Sequence, residues 1–442
     1  MQESHKIPAP QTPIDSNHTA PFALYNGQVV SRGNLWADVT ALAAQLPDQP
    51  YQFNLCENRY LFCLCLLAAT VRGQICLLPP AGQMAVILEI LRDYPGAYIA
   101  REHAPQQTGL DWFEVIAPNS ATAASSPHLD WQRTAVIAFT SGSTGKPKPC
   151  PHSLNTFKTS AEMALSSLGL AEQQLLILST TPPQHMYGLE TSVFWPLFSQ
   201  LVLHDGRPFF AEDIRQTIKT APWPTVLAST PTHLRSLIKT NAAWDNLAGI
   251  ISATDTLSEK LAGETAAILG QSPREIYGST ETLSFASRET LIENQWRPYA
   301  GCRLRQDKNG QTCLQAAHLA GVVPLQDTLQ IQADGRFSVL GRDQDMVKIG
   351  GKRASLTELN RRLQDIDGVE DGFCFTQDNG RLAAVVVSGL SKQTIRLGLQ
   401  PYLDEVFLPR KIHFVTEIPR NGTGKLAKIE LEKLLAGLGE RS

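Results

Sequence analysis

Apolar residues fall into short runs of two periods along this chain. The longest run, residues 61–71, lies between Arg59 and Arg72. A bilayer-spanning helix needs about 20 apolar residues, so this run reads as a buried helix. Residues 85–92 carry apolar side chains at helical spacing, and residues 97–100 read as a strand. Further strands are expected at 134–139, 175–178, 225–228, 249–252 and 337–340. Strands alternating with amphipathic stretches from residue 21 onward predict an α/β fold of layered sheets and helices. Residues 117–128 have no periodic apolar face and read as a surface loop. The last hundred residues predict a smaller α+β unit. There Thr357 caps a helix over 357–364, with Leu359 and Leu363 on one face. Strands at 373–376 and 382–388 flank Asp378-Asn379-Gly380, a hairpin signal. A helix near 391–405, a strand at 412–415 and a final helix from about Leu426 complete that unit. The expected organisation is a flexible arm over 1–20, a large domain over 21–340 and a small domain over 341–442, with the boundary near Gly341-Arg342.

Composition narrows the class. A chain of 442 residues predicts about two or three domains. With 43% hydrophobic and 18% charged residues, it can bury a large core and is neither disordered nor fibrous. A formal net charge of -3 gives no reason to expect nucleic acid as a partner. The eight cysteines, at 56, 63, 65, 76, 150, 302, 313 and 374, show no CxxC or zinc-ligand spacing. They read as reduced, buried thiols of a cytoplasmic enzyme. The polar, proline-rich start reads as no signal peptide, and no membrane insertion is expected. Nothing in the pattern sets an oligomeric state.

The most informative stretch follows the 134–139 strand: Thr140-Ser141-Gly142-Ser143-Thr144-Gly145-Lys146-Pro147-Lys148. Glycines let a backbone approach an anion closely. Exposed N–H groups and hydroxyls then cradle phosphate oxygens, and lysine adds charge. The loop is not a Walker A sequence: that pattern needs glycine where Thr140 stands and Ser/Thr where Pro147 stands. On residues alone, a phosphate cradle and an ordinary Ser/Gly turn both fit.

With Phe139 before it, this nonapeptide resembles the signature loop of the adenylate-forming superfamily. That superfamily comprises acyl- and aryl-CoA ligases, peptide-synthetase adenylation domains and firefly luciferase. Four more motifs follow in the family's order. The first is Tyr277-Gly278-Ser279-Thr280-Glu281. The resemblance implies that its aromatic ring lies near adenine, its threonine contacts the α-phosphate, and its glutamate helps hold Mg²⁺. Asp327 stands where the family places the aspartate that grips the ribose hydroxyls, although Leu325-Gln326 replace the usual Thr-Gly. Gly341-Arg342-Asp343-Gln344-Asp345 resembles the hinge motif that opens a small mobile C-terminal domain. In it Arg342 contacts ribose, and Gln344 occupies the pivot usually held by Asp or Lys. Gly350 and Gly351 then line the thiol's route. Last, Pro419-Arg420-Asn421-Gly422-Thr423-Gly424-Lys425 resembles the loop whose lysine bridges the carboxylate and the α-phosphate. A fixed ammonium there stabilises charge that develops in the transition state. The resemblance covers about residues 20–438. The stretch from Glu281 to Asp327 is shorter than is usual for the family, which marks this chain as a short-form member.

The resemblance implies ATP-dependent activation of a small carboxylic acid as an acyl-adenylate, followed by transfer to a thiol. The acceptor is CoA or the phosphopantetheine of an acyl carrier protein. Within residues 181–188, Thr-Pro-Pro-Gln-His-Met-Tyr-Gly, His185 matches the side chain that gates the carboxylate. Tyr187, Ser229 and Thr230 line the acyl pocket, while Phe194 and Trp195 read equally as lining or as core. Ser252-Ala253-Thr254 matches the adenine-contacting strand end without the usual glycine pair. The pocket aspartate of amino-acid-specific relatives has no counterpart near 181–190, where Glu190 is the only carboxylate. An aromatic acid (hydroxybenzoate- or cinnamate-like) or a fatty acid is therefore expected. Two alternatives stand beside the ligase: an adenylation-only enzyme feeding a carrier protein, and a non-catalytic acyl- or nucleotide-binding module.

Overall fold

The computed structural model describes residues 17–80, 84–103, 110–141, 147–240, 242–308, 310–342, 346–349, 352–377, 381–420 and 433–437. The chain forms two compact bodies. One comprises Met1–Ala228, Asp245–Ala248 and Gly278–Ser284, and the other the remaining residues.

The apolar run at 61–71 lies in the helix Arg59–Val71, buried along nearly its whole length. It is apolar all round because strands of two sheets contact it: Tyr51–Asn54 and Ile75–Leu78 in one, and Val202–His204 in the other. The Asn58 side chain caps it by accepting from the Tyr60 and Leu61 N–H groups. The first sheet has six strands in the order Trp112–Glu114, Ala97–Arg101, Tyr51–Asn54, Ile75–Leu78, Thr134–Ser141 and Pro147–Ser153. All pair in parallel except the last, which folds back on Thr134–Ser141 as a hairpin. The second sheet contributes the run Thr225–Ser229, Leu176–Ser179, Val202–His204, Pro21–Tyr25 and Gln28–Ser31. Its terminal hairpin turns at Asn26-Gly27, both at positive φ (48° and 74°), as a two-residue turn of this kind requires. The 117–128 loop holds no strand or helix, as expected.

Arg297–Pro298, Leu283–Glu289, Pro273–Ser279 and Leu247–Ser252 are successive neighbours in a sheet. The shortened region continues as a three-stranded antiparallel sheet of Arg303–Gln306, Thr312–Gln315 and Val323–Pro324. The Asp327–Ile331 strand pairs with Phe337–Arg342, which runs on through Gly341-Arg342. Farther on, Val369–Thr376, Leu382–Ser388 and Lys411–Phe414 form one sheet, with the expected hairpin between the first two. Leu359 and Leu363 join its core together with Val386, Ile395 and Leu399.

Two boundaries differ from expectation. The helix Leu356–Gln364 begins before Thr357, with Ser355 at the N-cap position and no side-chain cap bond. The preceding strand feeds straight into it, and packing of Leu356 against the core takes the place of the cap. The helix expected to reach 405 is Lys392–Leu399 alone, followed by a short turn at Glu405–Phe407. Pro401 has no N–H to carry the ladder on, although Gln400 before it keeps helical angles (φ -55°, ψ -37°). The final helix from Leu426 begins outside the described residues, although residues 433–437 are helical.

Asn58 also donates to Asp205 at 3.1 Å. Asn58→Ala is expected to cost about 1–2 kcal/mol. Thermal unfolding should read this as a midpoint several degrees lower.

Candidate active site

The hairpin after the 134–139 run brings the two ends of the glycine-rich loop together. Thr140 pairs with Lys148 and Ser141 with Pro147 across the antiparallel ladder. The tip of that loop, Gly142, Ser143, Thr144, Gly145 and Lys146, lies outside the described residues. Strand alternation turns Cys150 and His152 to the same, buried face of the returning strand. His152 meets the second motif there. Its Nε2 lies 2.8 Å from the Thr280 carbonyl oxygen. A carbonyl only accepts, so Nε2 carries the proton. Cys150 stands among Thr140, Lys148 and Glu281. Burial pushes its thiol up to about 11, the Glu281 carboxylate adds to the rise, and Lys148 and Thr140 oppose it. Thr140, Lys148, Thr280 and Glu281 are thereby gathered in one body.

The 278–284 stretch is tightly held. A Cβ on Gly278 would lie 2.0 Å from the Leu283 carbonyl oxygen, so only glycine fits. The Ser279 N–H donates to Thr282 Oγ1 at 2.9 Å, closing a short turn around Thr280 and Glu281. Leu283 sits at φ 54°, a conformation that bulky side chains rarely adopt. Ser284 then donates its N–H to both Glu190 oxygens (2.9 and 3.1 Å) and its hydroxyl to Oε1 (2.9 Å).

His185 is the N-cap of the helix Met186–Leu189, where its Nδ1 accepts from the Tyr187 N–H at 3.3 Å. The approach to it is fixed by Arg59, a fully buried guanidinium that donates to the carbonyls of Thr181 (2.7 Å) and Ser179 (3.2 Å). Burial lowers the Arg59 pKa to about 9, and Arg207 lowers it further. Gly188 seats the helix on the Pro182 carbonyl, where a Cβ would come within 2.2 Å. Tyr187 is buried. Phe194 stacks on Phe157 at 3.8 Å and Trp195 is fully buried, so both belong to the core.

In the other body, Tyr277 packs against Phe285, Trp296 and Phe337, with ring centroids 5.1–5.5 Å away. Its hydroxyl donates to Asp327. Asp327 in turn stands opposite Arg342 in the strand register. Ser252 and Ala253 end a buried strand, and Thr254 takes the left-handed conformation at φ 80°. That is a conformation the missing glycine pair would reach without strain. Among the described residues the buried Ser252 hydroxyl has no hydrogen-bond partner. Ser229 and Thr230 are buried as well, but Thr230 Oγ1 accepts from the His233 N–H (3.4 Å) as a helix cap.

Residues 50–308 match the family described as AMP-binding enzyme. The chain belongs to that family. Its likeness to a 4-coumarate–CoA ligase of Halorhodospira halophila is 28% identity over 317 residues, 67% of this chain and 76% of that one. To an anthranilate–CoA ligase of Pseudomonas aeruginosa it is 25% over 490 residues, 93% and 92% of the two chains. Among solved structures, the o-succinylbenzoate CoA synthetase (MenE) of Bacillus subtilis, in complex with ATP and magnesium ion, superposes with a TM-score of 0.79. That superposition covers 93% of this chain and 97% of that one at 18% identity. The fold is accordingly that of adenylate-forming enzymes. No helix among the described residues is long and apolar enough to cross a membrane. All eight cysteines are free thiols, and seven are buried.

Several expected site residues of this AMP-binding enzyme, namely Gln344, Gly350, Gly351 and Lys425, lie outside the described residues. His152 and Arg59 escaped the sequence reading because they act on backbone groups, which leave no motif, and the partners of Glu190 lie 30 and 94 residues away. The one available signal was the period of two that places His152 on the face of Cys150.

Two tests follow from this geometry. Gly278→Ala must displace the Leu283 carbonyl and is expected to destabilise by about 1–3 kcal/mol, measured by chemical denaturation. Burial raises the Glu190 carboxyl from 4.5 to about 7, against the hydrogen bonds of Ser284 and Ser160 that lower it. Between those values the folded state keeps a proton that the unfolded chain has released, so stability declines as pH rises through that window. The thermal midpoint of Glu190→Gln should lack this part of the decline. Parallel pH slopes for the two proteins would contradict it.

Proposed function

We propose that the chain is an ATP-dependent acid–thiol ligase that forms an acyl-adenylate and passes its acyl group to a thiol. The observation that carries this reading is the His152–Thr280 junction, which gathers Thr140, Lys148, Thr280 and Glu281 around the glycine-rich loop.

In the first step an oxygen of the acid's carboxylate attacks the α-phosphorus of ATP. A new P–O bond forms as the bond to pyrophosphate breaks. The loop from Thr140 to Lys148 cradles the phosphates, Thr280 donates its hydroxyl to the α-phosphate, and Lys425 bridges carboxylate and phosphate as charge moves between them. Tyr277 lies along the adenine beside Ser252, Ala253 and Thr254, and Asp327 and Arg342 take the ribose hydroxyls. Magnesium, when bound, neutralises charge on the departing phosphates. Among the described residues no three His, Cys, Asp or Glu side chains cluster as a metal cage. That fits Mg²⁺, which keeps most ligands as water and phosphate and needs only one or two carboxylates, here Glu281.

In the second step a thiolate sulfur attacks the acyl carbon, and the C–O bond to AMP breaks. We assign 341–442 as the mobile small domain, Gln344 as its pivot, and Gly350-Gly351 as the lining of the thiol's route. The relatives' names favour CoA as acceptor, and the compact chain keeps an acyl carrier protein as the alternative.

The acid lacks an amino group close to its carboxylate. The only carboxylate near 181–190 is Glu190, and Ser284 and Ser160 already occupy it. His185 gates the acid, and Tyr187, Ser229 and Thr230 border its pocket. Aromatic acids are the first choice and fatty acids the second.

Carboxylate-dependent ATP–pyrophosphate exchange tests this over a panel of aryl, fatty and amino acids. Exchange is expected with aryl acids and to fall at least 100-fold in Lys425→Ala, about 2.7 kcal/mol of transition-state stabilisation. Thioester formation from preformed acyl-adenylate should survive in that variant. Exchange with amino acids alone would overturn the substrate assignment. No exchange with any acid, despite ATP binding, would favour a binding module.

A further inference from the structure

Glu190 opens a widened helical turn, Glu190–Phe194, that continues directly from the helix His185 caps. Such π-turns cost hydrogen-bond geometry and are found mostly at functional sites. The Glu190 carboxylate is buried and faces three donors: the Ser284 N–H, the Ser284 hydroxyl and the Ser160 hydroxyl at 3.3 Å. Two of the three belong to the stretch that carries Thr280 and Glu281. That stretch is gripped at Thr280 by His152 and turned back by the Ser279–Thr282 bond. Its far end, after the strained Leu283, is held by Glu190.

We propose that Glu190 is a positioning residue for adenylation, a brace that ties the Thr280–Glu281 turn to the helix beginning at His185. The proposal rests on the ligase reading above. It adds that the side chains handling the acid and those handling the α-phosphate are registered to each other by one buried carboxylate.

A carboxylate suits this task better than an amide. Once it is ionised, above about pH 7, both its oxygens accept: Oε1 takes the Ser284 hydroxyl and N–H, and Oε2 shares that N–H. Glutamine with its oxygen in the Oε1 position would set an NH₂ group against the Ser284 N–H, where Oε2 now accepts at 3.1 Å. A residue that merely filled space would tolerate the exchange, because Gln and Glu are nearly the same size. Leu283 makes the brace necessary. Its left-handed backbone persists only where the surroundings hold it, and Glu190 binds the very next residue.

The test compares half-reactions in Glu190→Gln and Ser284→Ala. Misplacement of a reacting group by about 1 Å costs on the order of 100-fold. Adenylation by Glu190→Gln, followed by pyrophosphate exchange, should therefore slow roughly 10- to 100-fold. Its affinity for Mg·ATP should fall, while thioester formation from preformed acyl-adenylate stays within about twofold of wild type. Ser284→Ala keeps the backbone bond and should show a smaller loss confined to the same half-reaction. Hydrogen exchange on the ligand-free protein should quicken in peptides covering 278–285 and not in those covering 51–78. Equal losses in both half-reactions would overturn the proposal, as would unchanged Mg·ATP affinity with unchanged exchange in 278–285. If wild type binds Mg·ATP but activates no acid, the ligase reading falls. The Mg·ATP titration and hydrogen exchange then still decide whether Glu190 braces the turn.

Discussion

One hydrogen bond, from His152 Nε2 to the Thr280 carbonyl, joins segments 128 residues apart and sets the register of the first body's chemistry. The hairpin holding His152 is itself rigid. Thr134–Ser141 and Pro147–Ser153 pair along their length, and the helix Leu154–Leu168 starts at once behind them, capped by Ser153. A phosphate cradle built from backbone N–H groups works only if those groups do not shift when charge arrives. The bond to Thr280 anchors the second motif to the strand that carries His152. The anchor acts on a carbonyl, so the side chains of Thr280 and Glu281 stay free of that duty.

Unfavourable backbone conformations occur in both bodies. Leu283 and Thr254 are non-glycine residues in the left-handed region, and each follows or closes a segment assigned to the nucleotide. Conformations of this kind cost of order 1–3 kcal/mol each and survive where surrounding contacts over-determine them. Leu283 has Gly278 on one side and Ser284, bound to Glu190, on the other. Arg59 does comparable work on the approach to His185, stabilising carbonyls that a loop of two prolines cannot pair with its own N–H groups. These devices give the first body fixed loops at the ends of its strands, where an α/β architecture binds its ligands.

The elements were legible because periodicity reports burial. The helix Arg59–Val71 and the strands Thr134–Ser141, Leu176–Ser179 and Thr225–Ser229 appear where apolar runs placed them. The ends were less legible. Nothing local says that Leu356 packs well enough to start a helix without a cap, and the helix expected to run to 405 passed over Pro401, which lies just beyond its observed end. In the site, the resemblance of their motifs to those of the adenylate-forming superfamily pointed to Tyr277, Thr280, Glu281 and Asp327. It was silent on Glu190 as a brace. The sequence noted that glutamate only as the one carboxylate near 181–190, and its three donors appear only in the fold.

The second body shows how a charged group is kept ready without being lost to its surroundings. Asp327 already accepts from the Tyr277 hydroxyl, and the Tyr277 ring is wedged among Phe285, Trp296 and Phe337. The bond to Tyr277 fixes the carboxylate's rotation in advance, which reduces the ordering cost that binding would otherwise carry. It also couples the two contacts assigned to the nucleoside, since a ring that slides along adenine moves the hydroxyl that orients Asp327. The unpartnered Ser252 hydroxyl is the complementary case. A buried donor left without an acceptor costs about 1–3 kcal/mol in the free protein. A ligand atom that supplies the acceptor recovers that cost on binding, so the strand end favours a polar ring edge over an apolar one.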